Sequence, residues 1–218
     1  MSGDRELGRQ KIAWARGHMP VLEGIRARFA RERPFEGLDV SLVLHVEAKT
    51  AALALALQAG GARVHLAAGN PLSTEDDAVA ALIAEGIDTH ARKGESISEY
   101  RAGVRAMLDA GPQVIVDDGA DLVALAHTEL PGRGEIRGST EETTTGVTRL
   151  KALERAGQLR FPAIDVNDAA MKHLFDNRYG CGQSVLDGLF GATNLLIAGK
   201  VAVVAGYGWS GRGIASRL

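Results

Sequence analysis

The chain has 218 residues, with 25 Lys and Arg against 27 Asp and Glu, a formal net charge of -2 and one cysteine. That length allows one large domain, or one domain and part of a second. A single cysteine excludes an intrachain disulfide framework and a cysteine-cluster metal site, and it fits a reducing compartment. Near-neutral charge without a basic stripe argues against nucleic acid as a partner. The opening MSGDRELGRQK is charged where a signal peptide needs an apolar core, and no run approaches the ~20 apolar residues of a membrane span. A soluble, cytoplasmic protein is expected, with no metal and no membrane partner.

Two amphipathic helices are predicted over the first ~35 residues, broken between Gly17 and Pro20. From Asp39 onward short apolar runs alternate with helical stretches. The predicted strands are Val40 to Val46, Arg63 to Ala68, Ile87 to Arg92, Gln113 to Val116, Glu135 to Gly138 and Phe161 to Val166. Helices are predicted between them over Ala48 to Ala59, Ser73 to Glu85, Ser96 to Asp109, Leu122 to Thr128 and Thr143 to Ala156. Ser96 and Glu99 stand at capping-box spacing. Two further helices are expected around Ala169 to Asn177 and Ser184 to Asn194. This alternation implies an α/β fold, a Rossmann-like parallel sheet covered on both faces.

The last unit, KVAVVAGYGWSGRGIASRL, reads as a β-branched strand running into Gly206, Gly208 and Gly211, then a helix containing Gly213. Strand, GxGxxG and helix in that order are the context of a dinucleotide-binding loop, although a plain glycine-rich turn would use the same residues. The chain stops at Leu218, about two turns into that helix. The expectation is therefore residues 1–194 as a substrate domain and 195–218 as the start of a doubly wound cofactor domain. An isolated strand and half-helix cannot form a sheet of their own.

Four other groups of residues carry chemistry. Lys172 and Asp176 are an i,i+4 pair on a predicted helix, with Asn177 beside them and Cys181 beyond. A solvated surface ion pair is the plain reading; a lysine able to accept a proton is the functional one. Asp117-Asp118 directly follows an apolar strand, where parallel sheets bind ligands. Glu142-Thr143-Thr144-Thr145 offers hydroxyls at a helix start, of which capping needs only one. His45 lies near the end of the first strand, with Glu47 and Lys49 just after it.

Together and in this order the motifs resemble S-adenosylhomocysteine hydrolase, from about Leu42 to Leu218. The similarity is carried by NPLSTEDDAVAAL, VDDGADL, RGSTEETTTGV, FPAIDVNDAAMKHLFDNRYGCGQS and AGKVAVVAGYGWSGRG. GYGWSGRG and HVEAKTA are similar to the branch found in archaea and thermophilic bacteria. The resemblance implies a bound NAD, a nucleoside thioether substrate, a homotetramer, and hydrolysis by transient 3′-oxidation, C4′ deprotonation and elimination.

By that resemblance Lys172 and Asn177 deprotonate the 3′-hydroxyl, and Asp176 and Glu142 hold the ribose hydroxyls. Asp118 and His45 form the acid/base pair at C4′ and C5′. Thr143, Thr144, Thr145 and Asn177 line the nicotinamide side, with Cys181 close by. Gly206, Gly208, Trp209, Ser210, Gly211, Arg212 and Gly213 form the cofactor loop. Many members carry Thr and Glu where this chain has Glu47 and Lys49, and that Glu accepts from the adenine amino group. Lysine is donor-only and would suit a 6-oxo purine, so S-inosylhomocysteine is an alternative substrate. A hydroxy-acid dehydrogenase or a non-catalytic regulatory homologue are the other classes weighed. Neither calls for the whole motif set, and a chain interrupted within its cofactor domain would not turn over alone.

Overall fold

The computed structural model describes residues 2–129 and 136–218. By internal packing the chain divides into two units, Met1–Ile164 and Asp165–Leu218. This packing boundary falls earlier than the expected substrate/cofactor boundary at 194/195.

The first unit begins with helices α1 (Ser2–Gly17) and α2 (Pro20–Glu32), as the helical periodicity predicts. Strands β1 (Asp39–Leu44), β2 (Arg63–Ala68), β3 (Asp88–His90), β4 (Val114–Asp117), β5 (Gly138–Glu141) and β6 (Ala163–Asp165) then alternate with helices. The helices are α3 (Ala48–Ala59), α4 (Asp76–Ala84), α5 (Ile97–Asp109), α6 (Asp121–Glu129) and α7 (Thr144–Arg155). At the start of α5 the Ser96/Glu99 capping box forms with both reciprocal bonds.

Strand order in the sheet is β3-β2-β1-β4-β5-β6, and the β1–β2, β1–β4, β2–β3 and β4–β5 pairs are parallel. The alternation along β1 explains why both faces are covered. Val40, Leu42 and Leu44 enter one apolar cluster with Ile12, Leu57 and Leu82, while Val43 enters the other with Met107, Ile115 and Leu122. Successive side chains point to opposite faces, so an unbroken apolar strand needs helices on both sides. In this strand order the direction of winding reverses between β1 and β4, and the crevice outside the carboxyl ends of those strands is where such sheets take ligands.

The strands expected over Ile87 to Arg92 and Phe161 to Val166 are shorter, Asp88–His90 and Ala163–Asp165, and two other differences bear on the site. β1 ends at Leu44, so His45 lies just beyond the strand. The strand expected at Glu135 to Gly138 instead runs over Gly138–Glu141; Glu135 lies outside the described residues. The later placement puts Glu141 in the ladder opposite Asp117.

In the second unit a nine-residue π-helix, Lys172–Gly180, leads into α8 (Cys181–Thr193), and α9 is Trp209–Ala215. The expected strand after Lys200 is absent. Val201 and Val203 are almost fully exposed, and among the described residues they pair with no strand. A β-branched sequence without a pairing partner does not make a strand. Gly182 and Gly213 face each other so closely that a Cβ on Gly182 would meet the Gly213 carbonyl oxygen at 2.7 Å. Glycine there lets the helices approach at backbone distance.

Candidate active site

His45 and Asp118 are separated by 73 residues in sequence and joined by the fold. β1 and β4 are adjacent and in register at Val43 and Asp117, so the residues just past each strand end emerge side by side. His45 Nε2 lies 3.3 Å from Asp118 Oδ2. The Asp118 side chain is nearly buried and the imidazole about half exposed, so the pair is open to a ligand on the histidine side.

Ser73 completes this arrangement, and sequence reasoning gave it a different role. The predicted helix start at Ser73 is not the helix start; α4 begins at Asp76. Asn70 instead organises a turn, its Oδ1 accepting from Leu72 N and its carbonyl oxygen accepting from Ser73 Oγ at 3.1 Å. Ser73 Oγ then sits 2.5 Å from His45 Nδ1. With its own proton directed at the Asn70 carbonyl, Ser73 accepts from Nδ1–H. With Nδ1–H committed to Ser73, Nε2 faces Asp118, and one further proton held between Nε2 and the carboxylate makes an acid/base pair.

Behind Asp118 lies a second layer. Asp117 and Glu141 are fully buried and directly opposite in the β4–β5 register. Asp117 Oδ1 accepts from the amide of Asp118 (3.0 Å) and Oδ2 from the amide of Val123 (2.9 Å). Glu141 Oε1 accepts from the amides of Gly119 and Thr143 and from the Thr143 hydroxyl, each at 2.9 Å. Burial, with Glu141 nearby, pushes the Asp117 carboxyl up to about 7, although two backbone donors oppose the rise. The turn between these groups is tight: Gly119 and Ala120 both have positive φ, 117° and 60°. An alanine in that region is costly and is held only by its surroundings.

Glu142 follows Glu141 and is exposed, its amide donating to the Asp117 carbonyl at 3.1 Å. Of the three threonines, Thr143 is the N-cap of α7, its hydroxyl accepting from Gly146 N. Thr144 and Thr145 are exposed in the first turn. Glu47 also caps a helix: its Oε1 accepts from the amides of Lys49 and Thr50 at the start of α3. Its Oε2 accepts from Lys49 Nζ at 2.7 Å, and the Lys49 side chain is 69% exposed. Both line an open groove of about 570 Å³ with Lys11, Trp14, His18 and Met19.

The second unit carries the remaining residues. The expected Lys172–Asp176 ion pair is not formed; Lys172 Nζ donates instead to Asn167 Oδ1 at 2.8 Å. Asn167, itself buried, is fixed by donating to Asp168 Oδ1. The i,i+4 argument presumed α-helical winding, whereas this segment is wound as a π-helix, with hydrogen bonds spanning five residues. Lys172, Asp176 and Asn177 all belong to it, and Cys181 closes it, its amide donating to the Asp176 carbonyl. Long π-helical runs are rare and concentrate at functional sites.

The glycine loop keeps the expected turn without the expected strand. Gly206 has φ 93°, and a Cβ on Gly211 would meet the Gly206 carbonyl oxygen at 2.2 Å. Gly208 is the N-cap of α9, with open space where a side chain would stand. Ser210 is half-buried in the first turn of that helix. Trp209 lies 5.0 Å from the His173 ring, and the Arg212 guanidinium packs over Tyr207 and Trp209. Among the described residues no cluster of His, Cys, Asp and Glu could hold a metal, and no helix is long and apolar enough to cross a membrane.

A sheet of order 3-2-1-4-5-6 with a histidine–carboxylate pair outside its two central strands defines a doubly wound α/β protein, with that pair at the switch point. The profile of the S-adenosyl-L-homocysteine hydrolase family matches residues 3–133 and 130–205. The chain is 57% identical over 211 residues to S-inosyl-L-homocysteine hydrolase of Methanopyrus kandleri, covering 96% of this chain and 50% of that protein. It is 55% identical over 212 residues to adenosylhomocysteinase of Saccharolobus solfataricus, covering 97% and 51%. It is 57% identical over 210 residues to adenosylhomocysteinase of Thermoplasma acidophilum, covering 95% and 51%. The chain belongs to the S-adenosyl-L-homocysteine hydrolase family. It spans about half the length of the curated relatives it matches.

Proposed function

We propose that the intact protein is an NAD-dependent enzyme that reversibly hydrolyses S-adenosyl-L-homocysteine to adenosine and L-homocysteine. The observation that carries this reading is the His45–Asp118 pair, 3.3 Å apart, outside the central strands of the sheet. Eliminating homocysteine needs a base at C4′ and an acid at the departing sulfur, and a pair sharing one proton serves both roles. Asp118 supplies the base and His45 the acid, with Ser73 holding the ring. Glu142 and Asp176 are assigned to the ribose hydroxyls. Lys172, held by a buried asparagine, takes the 3′-hydroxyl proton with the help of Asn177.

The loop from Gly206 to Gly213 fits a dinucleotide. A left-handed glycine, a bare N-cap at Gly208 and the amides of the first turn of α9 are what a pyrophosphate requires. NAD held there would supply hydride acceptance and return at the ribose 3′ carbon. Thr143, Thr144, Thr145 and Cys181 are assigned to its nicotinamide side. The reading also carries a cytoplasmic homotetramer, which sedimentation of the intact protein would test.

A second reading is favoured by one observation. Lys49 presents an ammonium donor beside the Glu47 carboxylate on an open groove. A donor there suits the 6-oxo group of hypoxanthine, making S-inosyl-L-homocysteine the substrate of the same reaction. The test is kcat/KM of the intact protein for the two thioethers. Preference for the adenosyl compound supports the first reading, and preference for the inosyl compound the second. Turnover of neither overturns both.

A further inference from the structure

We propose that Asp117 and Glu141 are positioning residues, a buried pair of acids that clamps the two turns presenting Asp118 and Glu142. The inference rests on the functional reading above for the roles of Asp118 and Glu142, and on geometry for the clamp itself. Each buried acid immediately precedes one of the proposed site acids, Asp118 or Glu142, in sequence and stands opposite its counterpart across the β4–β5 ladder. Between them they accept four backbone amides, those of Asp118, Gly119, Val123 and Thr143. Those amides belong to the turn after β4, the first turn of α6 and the N-cap of α7. The Glu142 amide closes the arrangement by donating to the Asp117 carbonyl.

Two further features show that this pair is built in at a cost. Glu141 Oε2 is buried without a hydrogen-bond partner, although a leucine there would carry no such penalty. Gly146 leaves the space the carboxylate occupies, since a Cβ at that position would lie 2.1 Å from the Glu141 carboxyl carbon. The strained Gly119–Ala120 turn is therefore held by an acid, and the acid is held by a glycine in the next helix. Besides the adjacent Asp118 and Glu142, the charged groups around the pair include Asp121, which raises Asp117 as Glu141 does, and Arg149, which binds Asp121 and the Gly119 carbonyl. Tyr100 also bonds Asp121. No cation binds either buried carboxylate among the described residues, so the pair serves the backbone rather than an ion pair.

The experiment compares wild type, Glu141→Gln, Glu141→Leu and Gly146→Ala in the intact protein. Glu141→Leu and Gly146→Ala are each expected to lower kcat by roughly 10- to 100-fold with KM changed little, because misplacing a reacting group costs rate before it costs binding. Glu141→Gln, which keeps the accepting oxygen, is expected to recover most of that loss. Unaltered kcat in folded Glu141→Leu and Gly146→Ala, with only a lower Tm, would overturn the proposal. If wild type turns over neither thioether, the functional reading has failed, and amide exchange then judges the clamp in the 218-residue chain. The Gly119 and Thr143 amides should exchange at least about tenfold faster in Gly146→Ala, beyond any global change, and equal rates overturn the clamp.

Discussion

His45 Nε2 faces Asp118 Oδ2 at 3.3 Å, although the two residues lie far apart in sequence. The contact exists because β1 and β4 are neighbours at the point where the sheet reverses its winding. Replacing either group should remove the proton path while leaving the fold. In the intact protein, His45→Gln and Asp118→Asn are each expected to lower kcat by about 10²- to 10⁴-fold. The double variant should be no worse than the poorer single one, because the two act as a unit. Steady-state kinetics on all three variants, with circular dichroism as the folding control, checks this.

Ser73→Ala tests the tautomer argument separately. One hydrogen bond worth about 1 kcal/mol corresponds to roughly a fivefold fall in kcat, smaller than loss of the ring itself. The acid limb of the pH–rate profile should move as well, because the ring would no longer be fixed with Nδ1 protonated. An unmoved profile with unchanged kcat would remove Ser73 from the site.

Asp117 makes a prediction about stability against pH. Its carboxyl titrates near 7 in the folded chain and in the ordinary aspartate range when unfolded. The folded state therefore binds the proton more tightly, so this contribution is present below about pH 4 and lost as pH rises through about 7. Its size is at most on the order of 4 kcal/mol. Asp39 and Asp88 act oppositely and in a lower window. Arg63 holds Asp39 low, with help from His65, and His65 holds Asp88 low, so their contribution is lost as pH falls below the usual carboxylate range. Urea midpoints at pH 5 and pH 8 should show a decline for wild type that Asp117→Asn reduces, whatever its absolute stability.

Gly213→Ala should disrupt the second unit alone. A Cβ there would stand 1.9 Å from the Arg178 carbonyl oxygen, so α9 must lift from the π-helix. Overpacking of this kind costs about 1–3 kcal/mol or more. Hydrogen exchange should report faster amides in residues 172–215 and unchanged ones in the β1–β4 sheet. Uniform change across both would contradict the division at Ile164.

Local chemistry was legible wherever a residue's partner lies within a few positions along the chain. The Ser96/Glu99 capping box and the helix Ala48–Ala59 follow from spacing and composition, and both form as expected. The break at Gly17 to Pro20 and the unbroken apolar runs of a doubly covered sheet are of the same kind. The stretches that resemble the family were legible for the same reason, because they are contiguous words.

What it could not carry was any relationship whose strength depends on a partner far along the chain. Ser73 read as a helix start and instead stands against His45. Glu141 carried no signal of its own in the sequence and is buried opposite Asp117. Lys172 and Asp176 were paired by α-helical arithmetic that π winding sets aside. Val201 and Val203 had the composition of a strand but pair with none among the described residues. Propensity and spacing are properties of a segment; register, burial and hydrogen-bond partners belong to the packed sheet, and only tertiary structure assigns them.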